Sequence, residues 1–542
     1  MWPVSRHIWI LLAIMAVGVF LRTYNFHDWL QFRDDQSRDA IRVDQVISGE
    51  SSWPLLGPFL SHSGATEAES FHVGPIYYYF QIVSAKVFGN YPDTLAYPDV
   101  FFSILSLPLF FLFMRMYFDR NLSLGLTGLY SISAYLISYS RFAWSSNPIP
   151  FFVLLFLYSL LKFIGEKEKR PWLWAILLGI AWGVGFQLHA ITMILFSGVV
   201  FFVFFFSMRK DPVIWKEWAI VLSIFLLLNG SQIVNESMTD FGNTKAFFGF
   251  FSNTDASINP ASGGILNKLG NDVSCHIEAN FLYLSSYGSS FGLSNCTHDY
   301  AKILSGDFSD IHVRNPHSAS DAALLLLGLV LSTAGYVLLA RNVWKENTER
   351  KSYFLRLFAL YCGLGFIVMY PLSDGSIADL RYFSFIFFVP YVLFGLLVKS
   401  IFESWNRVNA IVFVVILFIL IAFFNLTVVG GKSAVLSAQN ATCSGATTLG
   451  EIEPLVNFIS AHSDRESVYV SKDRRLSSAL NSVIYLADKR GVTVMRANDS
   501  YGNVPEDART FFMGCAKTTD QKDVLNRWSG ESLYIYQTVK QE

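Results

Sequence analysis

Residues Trp172–Met208 read WLWAILLGIAWGVGFQLHAITMILFSGVVFFVFFFSM, a run without a single Asp, Glu, Lys or Arg. As one helix it would extend about 55 Å, at 1.5 Å per residue, against a hydrocarbon core of about 30 Å. The run is therefore two membrane spans, which meet near His189. Working outward, nine further runs can be read the same way, giving eleven spans at about 6–23, 98–117, 122–140, 149–165, 172–188, 190–208, 214–233, 321–341, 353–372, 382–401 and 408–427. Residues 1–22 imitate a signal peptide, but the apolar stretch is too long and no small-residue cleavage site follows. They read as a retained first span.

Composition agrees. Of 542 residues, 52% are apolar, 16% aromatic and only 15% charged, where a soluble protein carries roughly 25% charged. The formal net charge of −1 offers no basic field, which excludes nucleic acid as a partner. Lys and Arg crowd one side of the proposed topology: Arg115 and Arg120, Lys162 and Arg170, Arg341, Lys345, Arg350, Lys351 and Arg356, Lys399 and Arg407. The short turns on the other side, near 141–148, 189 and 373–381, carry only Arg141 and Arg381. The positive-inside rule then puts the N-terminus in the cytoplasm. Segments 24–97, 234–320 and 428–542 lie outside, as in a protein of a bacterial inner (plasma) membrane with a periplasmic C-terminal domain.

The chain divides at 427/428. Residues 1–427 form an α-helical polytopic membrane unit, and 428–542 alternate helix and strand patterns as in a small external α/β domain. The pattern predicts helices at 451–462 and 475–488, with strands at 468–471, 492–496 and 533–539. Read alone, this domain is a module dispensable for the chemical step. Cys275, Cys296, Cys443 and Cys515 are external, where disulfides persist. Pairing within each segment is simplest, although four cysteines allow three pairings.

Chemistry concentrates in the first external loop. Arg33, Asp34, Asp35, Gln36, Ser37, Arg38, Asp39, Ala40 follow the first span closely, and helical spacing puts Asp35, Arg38 and Asp39 on one face. The plain alternative is a solvated helix held by internal ion pairs. Farther along come Phe71, His72, Val73, Gly74, Pro75, Ile76, Tyr77, Tyr78, which could equally anchor at the interface as an aromatic belt.

An acidic motif after the first span, followed by His–x–x–Pro–Ile–Tyr–Tyr, resembles the GT-C-fold glycosyltransferases that use polyprenyl-phosphate sugars. This is the family of protein O-mannosyltransferases and lipid A aminoarabinose transferases. Its familiar form is Phe–Asp–Glu–x–x–x–Ala. Aligning Ala40 puts Asp35 on the aspartate and Gln36 on the glutamate, so one acid is missing. A shift by one makes Asp34 and Asp35 the acidic pair and loses the alanine. Arg141 with Asn147 stands where the family has an Arg and often an Asp. Gln187–Leu188–His189 resembles its Gln–x–His. Leu380–Arg381–Tyr382 resembles its Arg–Tyr–x–x–Pro, although Pro390 lies beyond that spacing. The resemblance covers roughly residues 5–400.

The resemblance implies a hexosyl- or pentosyltransferase that moves a sugar from a polyprenyl-phosphate donor to a glycan, lipid or protein acceptor on the external face. Such an inverting reaction needs a carboxylate as general base. Asp35 suits it, with Asp34 as the second choice and Arg38 nearby to keep the group ionised. The departing phosphate needs cations or donors, for which Arg141, Arg381 and His189 are candidates, joined by Arg38 or His72. Asp39, Tyr77, Asn147 and Tyr382 complete the substrate contacts. A divalent metal is not favoured, because Gln36 and Asn147 replace acids and hard cations bind carboxylates. No other cofactor is implied. A transporter should instead carry charges inside its spans and repeat in two halves. A lipid-linked ligase or polymerase shares the donor chemistry.

Overall fold

The computed structural model describes residues 6–60, 70–165, 170–208, 215–253, 264–286, 319–372, 380–438, 442–444, 447–463, 467–472, 476–497, 509–515, 524–529 and 533–538. In chain order its helices are α1 (Arg6–Thr23), α2 (Asp34–Ile47), α3 (Ile76–Phe88), α4 (Pro92–Met114), α5 (Arg120–Ser131), α6 (Ala134–Tyr139), α7 (Ile149–Phe163), α8 (Pro171–Leu188) and α9 (Ala190–Met208). Then follow α10 (Trp215–Leu228), α11 (Gly230–Met238), α12 (Gly242–Asn253), α13 (Gly264–Ser285), α14 (Ala319–Lys345), α15 (Glu349–Met369), α16 (Val389–Ser404), α17 (Arg407–Ser437), α18 (Leu449–His462) and α19 (Ser477–Asp488). Two short strands, β1 (Phe59–Leu60) and β2 (Phe71–His72), pair antiparallel between α2 and α3.

The eleven apolar runs fold mainly as helix. Among the described residues six helices are individually long and apolar enough to cross a bilayer. The count is eight when two bent pairs are included: α10 with α11, at 58°, and the 3-10 segment Leu380–Ile386 with α16, at 56°. Proline opens α4, α7, α8 and α16, where its missing N–H costs nothing. The run at 122–140 breaks between α5 and α6. Asn425 of α17 seals that break: its Oδ1 accepts from the Ala134 N–H at 3.1 Å and the Ser286 hydroxyl at 2.8 Å. Phe110 and Phe113 are core residues, whereas Phe201, Phe205 and Phe206 are exposed on the outside of the bundle.

One element departs from hydropathy. Within the expected external segment 234–320, α13 packs into the bundle against α14, α15, α16 and α17. Its polar residues conceal it from an apolar-run reading, since Asn267, Asn271, Asp272, His276, Glu278 and Asn280 are all buried. His276 sits 3.2 Å from the Asp272 carboxylate and stacks on Phe366. Partnered polar groups of this kind can enter a core that unpaired ones cannot. Cys275 is disulfide-bonded; Cys296 lies outside the described residues.

The last helix does not stop at 427. It continues to Ser437, and the chain then builds α18, β3 (Val468–Lys472), α19, β4 (Val494–Arg496), β5 (Arg509–Gly514), β6 (Val524–Ser529) and β7 (Tyr534–Thr538). The sheet order is β4-β3-β5-β7-β6, with β3 parallel to β4 and β5, and β7 antiparallel to β5 and β6. Two of these strands, β5 and β6, carry no clear pattern in the sequence. A disulfide joins Cys443 to Cys515.

This sheet unit shares its core with the first loop. Leu30, Phe32, Ala40 and Val43 belong to one buried cluster with Leu449, Ile452, Val483 and Ile535. The Leu449 N–H donates to Leu30 O at 2.9 Å, and the Phe32 N–H to Thr447 O at 3.0 Å. His27 lies 3.3 Å from both Asp93 and Glu453, tying α18 to the start of α4. Residues 24–60 and 70–97 and the sheet unit therefore form one layer.

Candidate active site

The acidic motif forms the first turn of α2. Asp34 and Asp35 sit at its positive dipole end, where carboxylates are stabilising. Gln36 closes a capping box, its Oε1 accepting from the Arg33 N–H at 3.1 Å. The same side chain donates through Nε2 to Ala143 O at 3.1 Å. A glutamate could accept but could not donate, so the amide at this position ties α2 to the turn after α6.

Helical spacing brings Asp35, Arg38 and Asp39 together. Arg38 donates from Nη1 to Asp35 at 3.0 Å, and from Nε and Nη2 to one oxygen of Asp39 at 3.0 and 2.9 Å. Tyr78, which motif reading left unassigned, adds a third donor to Asp39 at 3.0 Å. The two carboxylates differ sharply in access: the Asp35 side chain is 50% exposed and that of Asp39 only 2%. Burial pushes Asp39 up to about 6 despite the adjacent guanidinium. Arg38 loses solvation too, but Asp39 and Asp35 together hold it charged. Asp34 turns the other way, accepting from Asn481 of α19. Its carboxyl is raised chiefly by burial, with the Asn481 hydrogen bond opposing.

The His–x–Gly–Pro motif and the Gln–x–His motif meet in one joint. A Cβ on Gly74 would lie 2.2 Å from Gln187, so only glycine fits. The Gly74 N–H donates to Gln187 O at 3.1 Å, and the Ile76 N–H to Gln187 Oε1 at 3.2 Å. His72 donates from Nδ1 to Gly57 O at 2.9 Å, while Asn243 clamps its backbone on both sides. In the neutral ring this leaves Nε2 as an acceptor. Tyr77 is fully buried and donates to Asp99 of α4 at 2.8 Å. Asp99 gave no signal in the sequence, being one acid inside a long apolar run. Asn147 and the Trp144 backbone lie on the same carboxylate.

The turn 141–148 organises the remaining candidates. Arg141 spends its guanidinium on the end of α1: Nη1 donates to Leu21 O and Arg22 O, and Nη2 to Tyr24 O and Asn25 O, at 2.8 to 3.3 Å. The rings of Phe26 and Trp29 flank it at 5.6 Å. Burial lowers its pKa to about 10. Arg381 instead packs its guanidinium on the rings of Trp144, at 5.5 Å, and Tyr382, at 4.9 Å, and donates to the Tyr382 hydroxyl at 3.2 Å. His189 lies beside Tyr382, and its Nδ1 accepts from the Ile191 N–H at 3.2 Å. Burial, followed by the charge of Arg381, pushes the His189 imidazole down to about 4. It is therefore neutral, with its proton on Nε2.

Two groups result. Asp35, Arg38, Asp39 and Tyr78 form one; His189, Arg381, Tyr382 and Trp144 form the other. The turn 141–148 touches both, through Ala143 O on Gln36 and the Trp144 ring on Arg381. Beside it Ser103, Tyr139, Ser140, Trp144, Asn147 and Ser384 line a small open cleft. Among the described residues no three His, Cys, Asp or Glu converge as a metal site.

The profile of the family described as dolichyl-phosphate-mannose-protein mannosyltransferase matches residues 72–229. No curated protein matches the chain by sequence. Among solved structures, the chain is similar to ArnT from Cupriavidus metallidurans in the apo state, with a TM-score of 0.51 and 12% identity over 98% of each chain. It is also similar to the archaeal oligosaccharyltransferase AglB from Archaeoglobus fulgidus, in complex with an inhibitory peptide and a dolichol-phosphate. There the TM-score is 0.48 and the identity 13%, over 94% of this chain and 69% of that one. The first of these likenesses shows the fold. The chain is a GT-C-fold membrane protein that resembles the protein O-mannosyltransferases and ArnT, and the family profile supports a membrane glycosyltransferase.

Proposed function

We propose that the chain is an inverting glycosyltransferase that takes a hexose or pentose from a polyprenyl-phosphate donor and delivers it to an acceptor hydroxyl on the external face of a bacterial inner membrane. The observation that carries this reading is the pairing of a half-exposed Asp35 with an arginine whose charge a buried Asp39 holds in place. Asp35 accepts the proton of the acceptor hydroxyl. The hydroxyl oxygen attacks the anomeric carbon from the face opposite the phosphate, the sugar–phosphate bond breaks with its electron pair going to phosphate oxygen, and the sugar inverts. General-base assistance contributes about 10²- to 10⁴-fold to such a step.

Arg381 and the Nε2–H of His189 receive the departing polyprenyl phosphate. A guanidinium held against the rings of Trp144 and Tyr382 offers a planar fork of donors, which suits phosphate oxygens. Neutral His189 adds a donor without a second charge that would have to be desolvated. Arg38 supports the same charge from the α2 side. Arg141, committed to the end of α1, holds the turn between the two groups. Asn147, Tyr77 and Asp99 brace that turn from below, and His72 shapes the approach beside α3. The acceptor is a glycan, lipid or protein hydroxyl.

The deciding experiment supplies the purified full-length protein with polyprenyl-phosphate sugars and a panel of hydroxyl acceptors. Release of polyprenyl phosphate and the anomeric configuration of the product are followed by mass spectrometry and NMR. Transfer with inversion, lost in Asp35→Asn, supports the proposal. Retained configuration, or undiminished transfer by Asp35→Asn, would sink it.

A further inference from the structure

We infer that the external α/β unit belongs to the reaction centre, and that Asn481 and Ser482 of α19 are positioning residues that set where α2 presents Asp35. The inference rests on Asp35 being the base.

The N-terminal turn of α2 is gripped from two sides. Residue 36 is tied to the bundle through Gln36 Nε2 and Ala143 O, at 3.1 Å. Residue 34 is tied to the sheet unit, because the Asn481 amide donates to its carboxylate. Arg496 of β4 in turn donates to Asn481 Oδ1, which fixes which way that amide points. Two residues earlier, Ser482 donates its buried hydroxyl to Phe32 O at 2.8 Å, and the Phe32 ring packs on Tyr485. At the far end of α2, Lys489 pairs with Asp44, which also accepts from Asn90. Helices α2 and α19 thus lie side by side, with Ala40 and Val43 in one buried cluster with Leu480 and Val483. Asp35 is the residue between the two anchors, with its side chain half-exposed.

A polar helix of 14 residues has little intrinsic stability in water. What fixes its N-terminal turn is docking, and one of the two docking surfaces lies more than 400 residues along the chain. A general base displaced by about 1 Å can cost about 10²-fold in rate. The sheet unit therefore acts on the chemistry through Asp34 and Phe32, and it stays docked through the chemical step.

The test uses full-length protein in lipid nanodiscs and measures kcat, donor KM and thermal stability for Asn481→Asp, Ser482→Ala and Asp34→Asn/Asn481→Asp, with Asp35→Asn in parallel. Asn481→Asp sets two carboxylates against each other. It should lower kcat by about tenfold to a hundredfold and leave donor KM within about twofold. Adding Asp34→Asn rebuilds an amide–carboxylate pair with its roles exchanged, and should recover most of kcat. Ser482→Ala should lower kcat less, again without moving donor KM. If Asp35→Asn is inactive while Asn481→Asp and Ser482→Ala both keep the wild-type kcat per folded molecule, whatever their stability, the positioning role is overturned and the base assignment stands. If Asn481→Asp is slow but the paired exchange does not recover it, the Asp34 contact is not the route and the inference fails. If Asp35→Asn itself turns over normally, the base assignment fails first and takes the positioning role with it.

Discussion

Arg38 donates through Nε and Nη2 to a single oxygen of Asp39, at 3.0 and 2.9 Å. That side-on grip turns the remaining Nη1 toward Asp35 one helical turn earlier. One carboxylate is buried and sets the geometry; the other is half-exposed and is the proposed base. A lysine could not hold both contacts, because its ammonium is a point donor without a planar fork.

Asp35→Asn keeps the size and one acceptor of the side chain but removes the proton acceptor. Transfer should fall by about 10²- to 10⁴-fold while donor affinity stays nearly unchanged. Asp34→Asn should be mild, since an amide oxygen there can still accept from Asn481. Steady-state kinetics with a radiolabelled donor decide it. The opposite ranking would move the base to Asp34 and shift the motif alignment by one residue.

Asp39 makes folding depend on pH. Its folded pKa, about 6, lies above the ordinary carboxylate value of 3.8 because burial outweighs the pull of Arg38. A raised acid binds its proton more tightly when folded, so its stabilising contribution is full below the unfolded pKa and is lost as pH rises through about 6. Thermal unfolding of wild type and Asp39→Asn across this range should show the variant gaining on wild type as pH rises. A wild type that gains instead would mean that the Arg38 charge dominates burial.

Much of this was legible in the sequence, and the failures have physical causes. The eleven apolar runs fold mainly as helix, although 122–140 breaks in two and the run at 382–401 opens on a 3-10 segment, because long uncharged stretches have few alternatives in lipid. The i, i+3, i+4 spacing of Asp35, Arg38 and Asp39 translated directly into contacts. Helix α13 escaped because its buried surface is polar and hydropathy sees only apolar burial. Arg141 and Gln187 were visible as motif residues, but motif position cannot tell a ligand from a clamp. Arg141 caps α1, and Gln187 locks the Gly74 joint. Asp99 and the α19 contacts lie outside the motifs in sequence, and Tyr78, a motif residue, meets Asp39 of the other motif only in the folded chain.

Arg141→Ala should act on stability more than on donor use. The carbonyls of Leu21, Arg22 and Tyr24 would lose this donor, Asn25 O keeping the Trp29 N–H, and an unsatisfied buried group such as Arg22 O costs about 1–3 kcal/mol unless water enters. The measurable result is a lower melting temperature and poor recovery from the membrane, with donor KM little changed in the protein that folds. A normal melting temperature with a strongly raised donor KM would assign Arg141 to phosphate binding instead.

The Cys443–Cys515 disulfide closes a loop with a sequence separation of 72. Removing such a link costs about 4 kcal/mol in the chain-entropy model. Cys443→Ala/Cys515→Ala should therefore melt earlier than wild type, and a reductant should lower the wild-type transition by more than that of the variant, which keeps only the Cys275 disulfide. Equal melting in both would show that the surrounding core alone holds the sheet unit together.

Arg381 tests the other half of the site. If its guanidinium receives the departing phosphate, Arg381→Ala loses charge-assisted hydrogen bonds worth about 1.5–3 kcal/mol, or about tenfold to a hundredfold in kcat/KM. Arg381→Lys keeps the charge but not the planar fork packed against Trp144 and Tyr382, so rescue should be partial. Trp144→Leu should weaken donor use in the same direction, because the ring orients the guanidinium. The double variant should then lose less than the sum of the two singles, since both act on one contact. Product inhibition by free polyprenyl phosphate gives an independent reading, as it requires no acceptor and no base. It should weaken in parallel with kcat/KM in every Arg381 variant. Inhibition that survives Arg381→Ala unchanged would place the phosphate elsewhere and return Arg38 and His72 to consideration as its principal partners.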